Sequence, residues 1–372
     1  MSSRTRLGWD PFFESQCPPA STVARVVQVE RDAWRVDGDV EGWMTIAGRL
    51  RHEAASGSDL PAVGDWVEIG VQRVQEVQGV RRVRGVQEVQ GVPGNQIVRR
   101  LERRSVISRT AAGRAVAEQV IAANIDTVFI VTSANEDLSE RRLDRYLAMI
   151  WDSGAVPVVV VNKSDLVGDP GSIAAALRVR LPFVDVVTMS ALAGDSLDSQ
   201  ALLPYLQPGR TVALVGSSGV GKSTIVNRLA GADVQKVSAI REHDGTGRHT
   251  TTTRQLIVLP GGALLIDTPG MRELQPWGDG AVDGAFHDIA ALAAECRFAD
   301  CAHVSEPDCA VRAAVEAGTL SADRLEHYHH LQRQAAYEAR RHDKAAAADQ
   351  KRQLKTMMRR QRALYRDRDR LK

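Results

Sequence analysis

The stretch TVALVGSSGVGKSTIVNRLA, Thr211 to Ala230, constrains the fold more than any other part of this 372-residue chain. An apolar run stops at Gly216, a glycine-rich turn follows, and Lys222 opens a segment of helical composition. Strand, turn and helix in that succession make a phosphate-binding loop, whose backbone N–H groups and positive helix end face an anion. Gly216, Ser217, Ser218, Gly219, Val220 and Gly221 supply the loop, and Thr224 completes the motif. Lys222 adds a point charge toward the β- and γ-phosphates, and Ser223 a magnesium ligand. Such a loop has to sit at the carboxyl end of a buried strand, so the chain must contain an α/β sheet.

The surrounding sequence agrees. From Ile125, strand and helix signals alternate: IDTVFIVTS, VPVVVVNK, FVDVVTMSA, TVALVGSS, RQLIVL and ALLIDTPG read as strands, and LSERRLDRYLAMIWDSG as a helix. Continuous apolar strands suit a parallel sheet covered by helices on both faces. Up to about Ser108 the chain instead shows short β segments, VARVVQVE, AWRVDG, GWMTIAGRL and GDWVEIGV, the pattern of a small OB-type β-barrel. Within it, VQEVQGV at Val74 to Val80 returns at Val86 to Val92, which reads as an elongated surface loop of the barrel. Arg81, Arg82 and Arg84 in the middle of that loop could touch RNA phosphate. The expected organisation is multidomain. It comprises a tail (1–20), an OB-fold RNA-binding domain with the repeat as an insertion (21–108), a P-loop nucleotide domain (109–280), a mainly helical zinc-binding domain (281–331) and a basic helical tail (332–372).

Two further motifs end strands of the α/β region. DTPG at Asp267 to Gly270 offers an acidic residue for magnesium and a glycine N–H for the γ-phosphate. NKSD offers Asp165 to accept from guanine N1–H and the exocyclic amine, Asn162 to bond N7 or O6, and the Lys163 stem to cover the ring. Adenine would leave the carboxylate unpaired, and that penalty selects guanine. Ser190 and Ala191 close a later strand, placed to back the base. GRHTTTT, Gly247 to Thr253, reads as a hydroxyl-rich loop that completes the magnesium shell, with Thr251 favoured over Thr250 and Thr252. The base-reading motif precedes the phosphate loop, the reverse of the ordinary GTPase order. Because ligands bind along the carboxyl edge of a sheet, the order of the strands along the chain is immaterial to that edge, and a circular permutation explains the succession.

Cys296, Cys301, His303 and Cys309 follow the spacing C-x4-C-x-H-x5-C. Three thiolates and an imidazole suit one closed, tetrahedral, structural zinc. Cys17 reads as a free thiol and HYHH, His327 to His330, as a polar helix face.

The motif order, with VIAANIDTVFIV, GSSGVGKST, GRHTTT, DTPG and FADCAHVSEPDCAV, resembles the circularly permuted GTPases of the ribosome small subunit-dependent GTPase A family, the RsgA or YjeQ type. The match runs from about Leu101 to Val311 and is looser over the barrel, where the valine-glutamine repeat departs from the family pattern. The resemblance implies an OB-fold, a permuted GTPase domain and a zinc domain acting in late maturation of the small ribosomal subunit. It points to the same four zinc ligands. Where many GTPases carry a water-orienting Gln, this chain has Met271, so slow hydrolysis in isolation is expected, with His249 or a ribosomal group positioning the water.

Charge fits a polyanionic partner. Gln332 to Lys372 carries 14 Lys and Arg against 5 Asp and Glu, a local +9, which leaves −7 on the remainder of a chain of net +2. A basic, partly helical tail on an acidic body suits ribosomal RNA. No run of about 18 apolar residues and no apolar signal core appear, so no membrane association and a cytoplasmic location are expected. The reading is therefore a monomeric GTPase that binds GTP/GDP with magnesium and docks on the small ribosomal subunit and its rRNA. Its rivals are an RNA-binding protein with a vestigial nucleotide site and an ATP-dependent phosphotransferase.

Overall fold

Strand pairing closes the amino-terminal region on itself. In the computed structural model, which describes residues 2–71, 94–110, 118–134, 138–181, 183–192, 200–231, 254–267, 285–333 and 336, β1 (Val23–Val29) pairs antiparallel with β2 (Trp34–Gly38), and β2 with β3 (Gly42–Ile46). Next, β3 runs parallel to β5 (Asn95–Arg100), β5 lies antiparallel to β4 (Trp66–Val71), and β4 returns to β1. The result is a closed five-stranded barrel of OB type, with a helix, Gly48–Glu53, between β3 and β4. Ala24, Val26, Val36, Ile46, Val67 and Ile97 fill it, each from an inward position of its strand. The valine-glutamine repeat falls between β4 and β5 in sequence and lies outside the described residues.

The first twenty residues, expected as a tail, are part of this structure. Leu7 and Phe13 are buried, and the Trp9 ring meets that of Trp66 edge-on at 4.7 Å. Apolar side chains without a regular period carry no strand or helix signal, yet they still leave water when a surface accepts them. Arg25 fixes the arrangement from within. Fully buried, it donates to the carbonyls of Leu7 (2.7 Å), Gly64 (3.0 Å) and Asn124 (2.9 Å). Burial pulls its pKa down to about 10, which still leaves it charged at neutral pH.

Two short strands, β6 (Val106–Thr110) and β7 (Glu118–Ala123), form their own sheet. The six strands read from sequence then follow: β8 (Thr127–Ser133), β9 (Val156–Asn162), β10 (Asp185–Thr188), β11 (Thr211–Val215), β12 (Arg254–Val258) and β13 (Leu264–Asp267). Their spatial order is β10-β9-β8-β11-β13-β12, all parallel except β12, which is antiparallel to β13. Every residue of β8 and β11 is buried, as the continuous apolar runs required. The helix Glu140–Ser153 crosses from β8 to β9 and buries Leu143, Tyr146, Leu147 and Ile150, one helical stripe. Finally β12 pairs antiparallel with β1 of the barrel, Gln28 opposite Gln255, joining barrel and α/β sheet into one sheet of 11 strands.

The chain divides into two compact units, Met1–Arg109 with Val120–Gln275, and Thr110–Gln119 with Pro276–Lys372. The elements above belong mainly to the first. The second is helical, with His287–Ala293, Ala310–Glu316 and residues 322–333. Phe286 is fully buried against Tyr328, ring centroids 5.3 Å apart. HYHH is thus not a uniformly polar face, because His327 and Tyr328 point inward while His330 is exposed. Among the described residues no helix is long and apolar enough to cross a membrane. Beyond residues 332, 333 and 336, the basic tail lies outside the described residues.

Asp65 and Arg103 make a buried, two-toothed ion pair at 2.7 and 2.8 Å, and Arg103 also donates to the carbonyls of Ser58 and Leu60. Asp65→Ala strands a buried guanidinium and should cost about 3–5 kcal/mol, whereas replacing both partners with apolar residues should cost much less. Urea unfolding of the two variants measures the difference.

Candidate functional site

The described motifs leave the sheet at one edge. β9 ends at Asn162, β11 runs into Gly216, β13 ends at Asp267, and the turn after β10 carries Ser190 and Ala191. Since β11 lies between β8 and β13, with Ala213 opposite Ile266, the Asp267 backbone sits one residue further along, beside the strand that feeds the phosphate loop. This is the carboxyl edge at which α/β sheets bind ligands.

Close approach dictates the loop's glycines. At Gly216, φ is 146° and a Cβ would lie 2.1 Å from the Val131 carbonyl oxygen of β8. At Gly221, φ is 97° and a Cβ would lie 2.3 Å from Asn162 Nδ2. Between them run Ser217, Ser218 and Gly219, and Val220 is sunk in the apolar core. A helix, Lys222–Ala230, follows at once, with Lys222, Ser223 and Thr224 in its first turn. Lys222 Nζ donates to the carbonyls of Gly216 (2.7 Å) and Ser217, which holds the cation over the loop. The amino-terminal end of this helix adds positive potential where phosphate would lie.

The base-reading motif is tied to that loop through one side chain. Asn162, almost fully buried, donates from Nδ2 to the Val220 carbonyl (2.8 Å) and accepts at Oδ1 from the Ala191 N–H (2.9 Å). The amide expected to meet N7 or O6 is therefore engaged with the backbones of the phosphate loop and of the Ser190–Ala191 turn. Lys163 follows in left-handed conformation, φ 58°, and turns the chain into Ser164–Leu166. Asp165 accepts a hydrogen bond from the Ser190 hydroxyl, which orients one carboxylate oxygen. His249, Thr251, Gly270 and Met271 lie outside the described residues.

In the second unit, Cys296, Cys301, His303 and Cys309 converge, their ligand atoms all within 4.8 Å of one another. Cys296 and Cys309 sulfurs are 3.9 Å apart, and His303 Nδ1 lies 3.7 and 3.5 Å from them. A tetrahedral zinc with Zn–S about 2.3 Å and Zn–N about 2.0–2.1 Å requires edges of roughly 3.8 Å between sulfurs and 3.5 Å between sulfur and nitrogen. The Cys296, His303 and Cys309 donors therefore match the edges of such an ion, and Cys301 Sγ lies within 4.8 Å of each as the fourth donor. His303 adopts φ 59°, and Glu306, which the sequence reading passed over, stabilises the turn around it. Its carboxylate accepts from the N–H groups of Ala302 (3.0 Å), Val304 (2.9 Å) and Ser305 (3.0 Å). These backbone hydrogen bonds hold the Glu306 pKa down to about 2. A glutamate in the short segment between two metal-type ligands is the signal that could have found it. In the first unit, Cys17 Sγ lies 3.5 Å from Arg99 Nη2, and burial pushes its thiol pKa up.

A phosphate loop, a guanine-type motif at the same carboxyl edge of the sheet and a chain order that starts with the base motif define a circularly permuted P-loop GTPase, here joined to an OB-type barrel. Comparison with known proteins agrees. The family model described as RsgA GTPase matches residues 100–277. A small ribosomal subunit biogenesis GTPase RsgA of Opitutus terrae is 46% identical over 366 residues, 96% of each chain. An RsgA 2 of Lactiplantibacillus plantarum is 45% identical over 317 residues, 85% of this chain and 84% of its own. The solved YjeQ from Thermotoga maritima shares the fold, with TM-score 0.59, 24% identity, and coverage of 85% of this chain and 99% of its own. YloQ, described as a circularly permuted GTPase, gives TM-score 0.58 at 23% identity, covering 86% and 96%. The chain belongs to the RsgA GTPase family and is a GTPase.

Glu306→Ala should release bound metal to a chelator several-fold faster than the parent, because three loop N–H groups lose their acceptor. The depressed pKa means that this contribution is fully present above about pH 4.5 and lost only as pH falls toward 2. The ratio of release rates should therefore be the same at pH 6 and pH 8, measured with a colorimetric zinc chelator.

Proposed function

We propose that this GTPase acts on the small ribosomal subunit, docking on its rRNA during late subunit maturation and hydrolysing GTP when docked. The observation that carries the reading is the match along 96% of the chain to a relative named for small ribosomal subunit biogenesis. The geometry supports the GTP part independently, through the buried amide that joins base motif to phosphate loop.

In this reading the phosphate loop, Gly216 to Thr224, cradles the phosphates, and Asp165 selects guanine with Lys163 over the ring. Ser190 and Ala191 back the base, and Asn162 holds both loops in register. Ser223 and Asp267, with Thr251, would hold magnesium, which supplies positive charge to the developing phosphate oxygens. Gly270 would offer its N–H to the γ-phosphate. With methionine at position 271, His249 or a group from the ribosome orients the attacking water, and the loop Gly245 to Thr253 changes state on hydrolysis. The barrel (21–108), the zinc domain (281–331) and the basic tail (332–372) supply the RNA-facing surfaces around a nucleotide domain of 109–280, in a cytoplasmic monomer.

The deciding assay is GTP turnover with and without purified small subunits. Stimulation should be strong in the parent, absent in Lys222→Ala and reduced in His249→Ala, and guanine preference should fall in Asp165→Asn. Turnover indifferent to subunits would sink the ribosomal reading, and unchanged stimulation in His249→Ala would remove that residue from water positioning. Metal analysis of the purified protein should give about one zinc per chain. Less than half an equivalent would count against a structural zinc.

A further inference from the structure

The helix that leaves the phosphate loop carries a second connection to the base side, six residues after Lys222. Arg228 Nη1 donates to the carbonyls of Ser190 (3.1 Å) and Ala191 (3.3 Å). Both residues are buried, and each uses another group on the base-reading motif. The Ser190 hydroxyl donates to Asp165, and the Ala191 N–H donates to Asn162. A charged donor on two adjacent carbonyls is stronger than a neutral one and fixes the peptide plane between them.

We propose that Arg228 is a specificity-positioning residue: by clamping the Ser190–Ala191 turn to the phosphate-loop helix, it sets the orientation in which Asp165 reads the purine edge. This rests on the guanine-reading assignment of the site. Arg228 does not touch the base. It acts through Ser190, so its loss should be felt as lost discrimination rather than as lost chemistry. A basic residue in the last turn of a helix also suits the helix dipole, and a purely helix-stabilising arginine would leave base selection untouched.

The test is to titrate GDP, IDP and ADP, with magnesium, into the full chain and into Arg228→Ala, Arg228→Gln and Arg228→Lys, with steady-state GTP hydrolysis alongside. IDP lacks the exocyclic amine that Asp165 is placed to read, and ADP lacks both guanine donors in that arrangement. In Arg228→Ala, GDP affinity should fall by about tenfold or more, ADP affinity should change little, and the GDP:IDP and GDP:ADP ratios should shrink accordingly. KM for GTP should rise while kcat at saturation stays within about twofold. Arg228→Lys, which keeps the charge, and Arg228→Gln, which keeps an amide donor, should fall between. The conservative variants provide the same readout if the alanine variant fails to fold. Ratios unchanged while all affinities drop together would overturn the proposal in favour of a helix-stabilising role, and so would unaltered GDP binding. A parent chain with no preference for GDP over ADP would instead overturn the guanine reading, and this inference with it.

Discussion

The guanine-type motif and the phosphate loop come from different parts of this chain, and one buried amide holds them in register. Asn162 bonds the Val220 carbonyl on one side and the Ala191 N–H on the other, with almost no exposure to water. Each hydrogen bond contributes only about 1 kcal/mol net, but an unpaired amide at such a site costs more than the bonds gain. The arrangement is consequently all-or-none. Gly221 belongs to it as well, since any side chain there would occupy the space of the Asn162 amide.

With that contact in place, the unusual chain order loses its importance. The sheet places the strands β10-β9-β8-β11-β13 parallel to one another, and the carboxyl ends of β9, β11 and β13 lie at the same edge whichever is synthesised first. Reopening the chain before β8 moves a connection without moving a ligand-facing loop. It also puts the barrel ahead of the sheet in sequence, and the β1–β12 ladder then makes the two continuous.

Much of this was legible in the sequence wherever burial is continuous or spacing is dictated by chemistry. The six strands from Thr127 to Asp267 read correctly because β8, β9 and β11 are buried almost throughout and each of the six carries a continuous apolar run. The convergence of Cys296, Cys301, His303 and Cys309 was legible in their spacing, because a four-coordinate ion of the kind expected there leaves few alternatives. The strand Asn95–Arg100 escaped notice because only Ile97 of its six residues is buried. The partners of Asn162, Arg228 and Glu306 were not legible, since they depend on which backbone groups the fold brings within about 3 Å. The amino-terminal residues were misjudged for a related reason: Leu7, Trp9 and Phe13 pack on tertiary neighbours without forming a periodic pattern.

The seam between β1 and β12 bears on how the chain is made. Gln28 and Gln255 are partners although about 225 residues separate them, and pairings of that sequence separation form late because a long loop must first be closed. Until then the Gln28–Val29 end of β1, beyond its pairing with β4, and the outer edge of β12 stay unpaired and open to other chains. The native ladder thus serves as a mutual cap, and a nucleotide domain severed from its barrel would carry a permanently open edge. Separating the two halves would therefore trade solubility for simplicity.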